Sequence, residues 1–151
     1  MAVVIDDLAK FDSLVGTHLG YSAYKLIDQA SINLFADLTG DHQWIHVDTA
    51  QAAKGPFGTT IAHGYFTLSL IPALMQDVLK IENISQGINM GCNKVRFTGP
   101  VPVDSLLRLG ASIAQVEHIE GGVQVVIDVT LEVKDAPKPA CVAQTVVRLY
   151  A

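Results

Sequence analysis

Six aliphatic residues at alternate positions, Val123, Val125, Ile127, Val129, Leu131 and Val133, constrain this chain more than any other feature. Side chains of an extended strand point alternately to two faces, so this run presents one apolar face and one mixed face. Such a strand belongs in a sheet covered on one side and open to water on the other. Leu106 to Val116 and Ala140 to Tyr150 flank it as further strands. Gln86 to Phe97 adds another, ended by Gly99-Pro100. Glu120-Gly121-Gly122 and Asp135-Ala136-Pro137-Lys138-Pro139 are the turns between them.

The first half of the chain carries helical signals. Asp6 to Phe11 predicts a short helix, and Tyr21 to Leu26 a strand. Asp28 is a plausible N-cap for a helix through Leu38, with Gly40 as its stop. Asp48 or Thr49 can cap one turn over Ala50 to Lys54. From Gly64 to Lys80 the apolar residues cover more than one face, predicting a helix ~25 Å long at ~1.5 Å per residue. A helix apolar on most sides must be wrapped by other structure. Pro72 removes the bond to the Leu68 carbonyl and should kink it. Together these elements predict one α+β domain over residues 1–151, an antiparallel sheet curled round a long helix. An open sheet edge in so apolar a chain predicts a homodimer.

Half of the 151 residues are hydrophobic, 17% are charged and the net charge is −5. That balance predicts a large buried surface and argues against general nucleic-acid or anionic-membrane binding. Met1 to Leu8 has no basic n-region, and Ile61 to Leu79 is broken by His63, Gly64, Pro72, Gln76 and Asp77. A cytoplasmic protein without a membrane span is therefore expected. Cys92 and Cys141 lack metal-like spacing and read as small buried hydrophobes.

The chemistry-bearing residues cluster between Gly40 and Gly64. Asp41 and His46 form a candidate general acid/base pair, in a stretch whose composition argues against regular structure. Facing one cavity, the carboxylate would raise the imidazole pKa, and the pair would titrate together. Ordinary loop roles are the competing account: Asp41 closing a turn, His46 packed on Trp44 or Ile45. His63-Gly64 opens the apolar helix, where free backbone N–H groups favour an anionic oxygen and glycine permits close approach. A metal site from Asp41, His46, Asp48 and His63 lacks a recognised ligand signature, so no metal is expected. Ser69 has no glycine-flanked elbow, which argues against a serine nucleophile. Lys94 and Arg96 share one strand face and could hold a phosphate, or simply be a solvated pair.

Phe35-Ala36, Gly40-Asp41, Ile45-His46-Val47-Asp48, Phe57-Gly58 and Ile61-Ala62-His63-Gly64 together resemble the MaoC-like dehydratases, single-hotdog proteins that include R-specific 2-enoyl-CoA hydratases. Lys94-Val95-Arg96-Phe97, Gly99-Pro100-Val101 and Asp104-Ser105-Leu106 extend the likeness over almost the whole chain. The chain is most similar to the short nodulation-protein-N-like members. The resemblance implies a hotdog fold, an antiparallel sheet around a central helix, and a homodimer with an acyl tunnel near its interface. It also implies hydration of a trans-2-enoyl thioester to the (3R)-hydroxyacyl thioester, on coenzyme A or acyl carrier protein, without a further cofactor. Asp41 and His46 match the catalytic pair, and Gly64 the backbone donor to the thioester carbonyl. Gln43, Trp44, Phe57, Gly58 and His63 fall in the substrate-binding block, with Lys94 and Arg96 as contacts to coenzyme A phosphates. Gln43-Trp44 replaces the family's usual Asn-Pro, and Trp44 is expected to reshape the tunnel. A hotdog thioesterase and a non-catalytic acyl-binding subunit are the alternatives.

Overall fold

The computed structural model describes all 151 residues. Chain order is β1 (Val3–Ile5), a 3-10 helix (Leu8–Leu14), β2 (His18–Tyr21), β3 (Lys25–Ile27), α1 (Gln29–Thr39), α2 (Trp44–Val47) and α3 (Thr49–Ala53). Then come α4 (Gly64–Ser69), α5 (Ile71–Met75), β4 (Leu79–Ile81), β5 (Gln86–Phe97), β6 (Ser105–Ile119), β7 (Gly122–Val133) and β8 (Cys141–Tyr150).

The alternating strand becomes β7, the middle of the main sheet, whose order is β2-β6-β7-β8-β5 with β3 also on β6. All its pairings are antiparallel. Val123, Val125, Ile127, Val129 and Leu131 are buried on the inner face, where they join Leu107, Leu109 and Ile113 of β6. Ile32 of α1, Phe66 of α4, and Ile71 and Leu74 of α5 complete the same 25-residue core. Removing one of these large side chains should cost roughly 2–5 kcal/mol, because the cavity left behind relaxes only in part.

Local signals placed α1 well. The Asp28 carboxylate accepts from the Ser31 N–H at 2.9 Å, and Gly40 ends the helix at φ 81, a left-handed conformation that suits glycine. Asp48 caps α3 through the Gln51 N–H at 2.9 Å. Elsewhere tertiary context overrode the local pattern. The expected helix over Gly64 to Lys80 is two segments divided at Leu70, with Pro72 in the first turn of the second, where a missing N–H costs nothing. It stops at Met75, and Leu79–Ile81 instead pairs in parallel with β1. The strand expected from Tyr21 to Leu26 is two short strands, β2 and β3, on β6. Cys141 is buried, its thiol pushed up to about 11 by burial, whereas Cys92 is exposed. No helix is long and apolar enough to cross a membrane.

Candidate active site

Asp41 follows the left-handed Gly40 directly, so the end of α1 turns the chain back and presents its carboxylate at the surface. The Gln43 N–H donates to that carboxylate at 3.3 Å. Contrary to the composition of this stretch, His46 lies on a short helix, α2, rather than in a loop. Gln29 of α1 holds that turn by donating to the His46 carbonyl at 2.8 Å, and Thr60 donates to Gln29 in turn.

His46 is buried, and its ring has one defined orientation. Nδ1–H donates to the Ile61 carbonyl at 2.7 Å. That carbonyl is itself fixed, because the Ile61 N–H donates to Ile45 at 3.0 Å and the Ala62 N–H to Val101 at 2.8 Å. Burial lowers the His46 pKa, opposed by the Ile61 hydrogen bond; the charge on His63 lowers it further and that on Asp41 raises it. The expected upward shift is thus reversed, because desolvation outweighs an exposed carboxylate. A neutral imidazole bonded through Nδ1–H leaves Nε2 as a bare lone pair, the form a general base requires.

His63 caps α4 and is 3% exposed. Its ring stacks on His46 at 3.9 Å between centroids and 24° between planes, with Phe35 at 4.9 Å. Its Nε2–H donates to the Asp41 carbonyl at 3.0 Å, and Nδ1 is buried without a partner. One donor atom each of Asp41, His46 and His63 lies within 4.8 Å of the others. These three are the residues that could hold a metal ion. Asp48, committed to capping α3, is outside the cluster.

Gly64 begins α4, and its N–H has no partner within the chain. A Cβ at this position would sit 2.9 Å from the Phe97 ring. His46 and Gly64 open on one cavity of about 360 Å³, lined also by Phe57, Thr67, Phe97 and Pro100. A larger apolar cavity of about 700 Å³ lies between α4–α5 and strands β5 and β8, with Tyr65, Leu68, Met75 and Thr145 on its walls. Tyr65 of the larger cavity meets Phe97 of the smaller one edge to face at 5.9 Å.

The remaining sequence candidates divide. Phe57 lines the smaller cavity, and Gly58 closes the turn beside it, its N–H on the Gly55 carbonyl at 3.2 Å. Gln43 is exposed next to Asp41. Trp44 packs over Gly55 instead of entering the cavity, and His63 lies beneath His46 rather than on the cavity wall. Lys94 and Arg96 pair with Gln144 and Val142 on the outer sheet face, with Lys94 in a groove beside Asp128, away from His46. Thr67, Phe97, Gln29 and Thr60 were not among the candidates. The hydroxyl-to-carbonyl bond from Thr67 to Gly64 and the Phe97 contact join residues with no shared motif.

A buried neutral imidazole facing an unpaired backbone N–H across a cavity, with a carboxylate close by, could add or remove water beside a carbonyl. The sequence fits the model of the MaoC-like domain over residues 10–135. The chain belongs to the MaoC-like dehydratase family. Its relatives include 3-hydroxyacyl-thioester dehydratase Z of Mycobacterium tuberculosis, 48% identical over 97% of both chains. Nodulation protein N of Rhizobium leguminosarum bv. viciae is 41% identical over 90% of this chain and 86% of its own. Among solved structures, the unliganded R-hydratase PhaJ1 of Pseudomonas aeruginosa superposes with a TM-score of 0.71 at 26% identity, over 93% of this chain and 84% of that one. The fold of this MaoC-like protein is accordingly the α+β hotdog.

Proposed function

We propose that this protein catalyses the reversible hydration of trans-2-enoyl thioesters to (3R)-3-hydroxyacyl thioesters. The observation that carries the reading is the neutral, Nε2-bare His46 close to the Asp41 carboxylate, opening on the same cavity as the unpaired Gly64 N–H. The 48%-identical relative named as a 3-hydroxyacyl-thioester dehydratase supports the substrate class.

His46 Nε2 takes a proton from water as the oxygen bonds to Cβ. The imidazolium passes that proton to the Asp41 carboxylate, which delivers it to Cα, so the pair ends as it began with H and OH added. Enolate charge on the thioester oxygen meets the Gly64 N–H, a donor worth ~3 kcal/mol by analogy with other oxyanion sites. The thioester itself is the electron sink, so the step as written needs no metal or other cofactor. The larger apolar cavity gives room for an acyl chain of a coenzyme A or acyl-carrier-protein thioester. The exposed edge of β5 is proposed to pair with a second copy, making a homodimer.

Incubation with crotonyl-CoA, followed by chiral analysis of the product, tests the assignment. Loss of the enoyl chromophore with an intact thioester and an R-hydroxy product is expected. Release of free thiol would instead assign a thioesterase, and binding without turnover an acyl-binding subunit.

A further inference from the structure

His63 touches both members of the proposed pair, yet it does not line the cavity that His46 faces. From one side its ring lies face-on against His46, at 3.9 Å. From its edge, Nε2–H holds the main chain of Asp41 at 3.0 Å. Phe35, stacked at 5.4 Å on Phe66 of α4, packs against the imidazole at 4.9 Å between centroids. The residue is almost wholly buried and begins the helix whose first N–H is the proposed carbonyl donor.

We propose that His63 is the positioning residue of this site, one side chain that sets the places of both proton-transfer groups relative to the Gly64 N–H. The inference rests on the hydration reading above and adds a role to it. The Ile61 bond fixes the direction of His46 Nε2 but does not stop the ring from tilting about that bond; the stacked imidazole does. Asp41 is exposed and has only the 3.3 Å contact from Gln43 on its carboxylate, so its backbone anchor on His63 is what keeps it close to His46. Loss of either restraint displaces a reacting group by a fraction of an ångström to an ångström, a scale at which rates fall steeply.

Three substitutions separate the two contacts. His63→Asn is too short to reach the Asp41 carbonyl and has no ring to stack, so kcat should fall about 100-fold. His63→Gln keeps the donor but not the ring, and His63→Phe keeps the ring but not the donor; each should fall only about 10-fold. KM for crotonyl-CoA should stay within about twofold throughout, since His63 does not meet the substrate. A merely structural role would instead lower the thermal midpoint without ordering the kcat values in this way.

His63→Asn with wild-type kcat overturns the proposal, as does a loss confined to KM, or Gln and Phe variants no better than Asn. A folded Gln or Phe variant with full kcat overturns it too, which decides the matter if the Asn variant does not fold. Wild-type protein as inert as Asp41→Asn toward enoyl-CoA ends the hydration reading and this inference together. An active wild type, an impaired Asp41→Asn and an unimpaired His63→Asn end this inference alone.

Discussion

The Nδ1–H of His46 and the Ile61 carbonyl decide the state of the reacting imidazole. A buried histidine held neutral binds protons less readily than the same residue in the unfolded chain, whose ordinary value is 6.5. Two consequences follow in the same direction. The acid limb of kcat/KM should have its midpoint below pH 6.5, because His46 stays a base to lower pH than a free histidine. Stability should also fall as pH drops below 6.5, where the unfolded chain takes up a proton that the native site resists. A pH–rate profile alongside urea unfolding at several pH values measures both, and a limb above 6.5 would contradict the burial argument. At the same scale, Asp41→Asn and His46→Ala should each lose at least ~100-fold in turnover. The exposed Asp41 makes the first of these a clean test, since its unfolding midpoint should barely move.

At the scale of elements, the site depends on how helices begin and end. Gly40 closes α1 in a left-handed conformation and thereby throws Asp41 toward α4. Gly40→Ala should cost roughly 1–2 kcal/mol, the penalty for an L-residue there, read as a lower urea midpoint at unchanged slope. Gly64 faces a different constraint. Its backbone is compatible with alanine, but the added methyl meets the Phe97 ring at 2.9 Å. Gly64→Ala should therefore depress turnover by shifting Phe97 or the head of α4, and Phe97→Leu in the same chain should recover part of the loss. A double-mutant cycle in which the two effects simply add would show that the ring and the glycine are not coupled.

For the whole molecule, β5 is the element with an unsatisfied demand. Eleven of its twelve residues are exposed, Ile88, Met90 and Phe97 among them, and only one edge is paired, with β8. Bulges at Met90 and Asn93 disturb its regular pairing without hiding that edge. Light scattering at micromolar concentration should give twice the chain mass. Met90→Glu should shift the protein toward monomer, because two-fold pairing brings like charges near one another. A wild-type monomer under those conditions would remove the dimer from the account.

What was legible in the chain is what neighbours in sequence control. The period-two run became the central strand, Gln86 to Phe97 became β5 at its expected ends, and Asp28, Gly40 and Asp48 bound their helices as caps and stops. The pair Asp41 and His46 could be named as candidates from the family likeness, spacing alone leaving ordinary loop roles open. Folding had to supply the rest. Whether His46 gains or loses a proton depends on burial, which no local pattern states; Phe97 reaches Gly64 from a distant strand; and His63 stacks on His46 and packs against Phe35, partners far from it in sequence. Caps, turns and alternation are short-range steric and hydrogen-bonding choices that the sequence makes alone. Desolvation, stacking and the face a side chain finally presents are set by contacts that exist only once distant segments have packed.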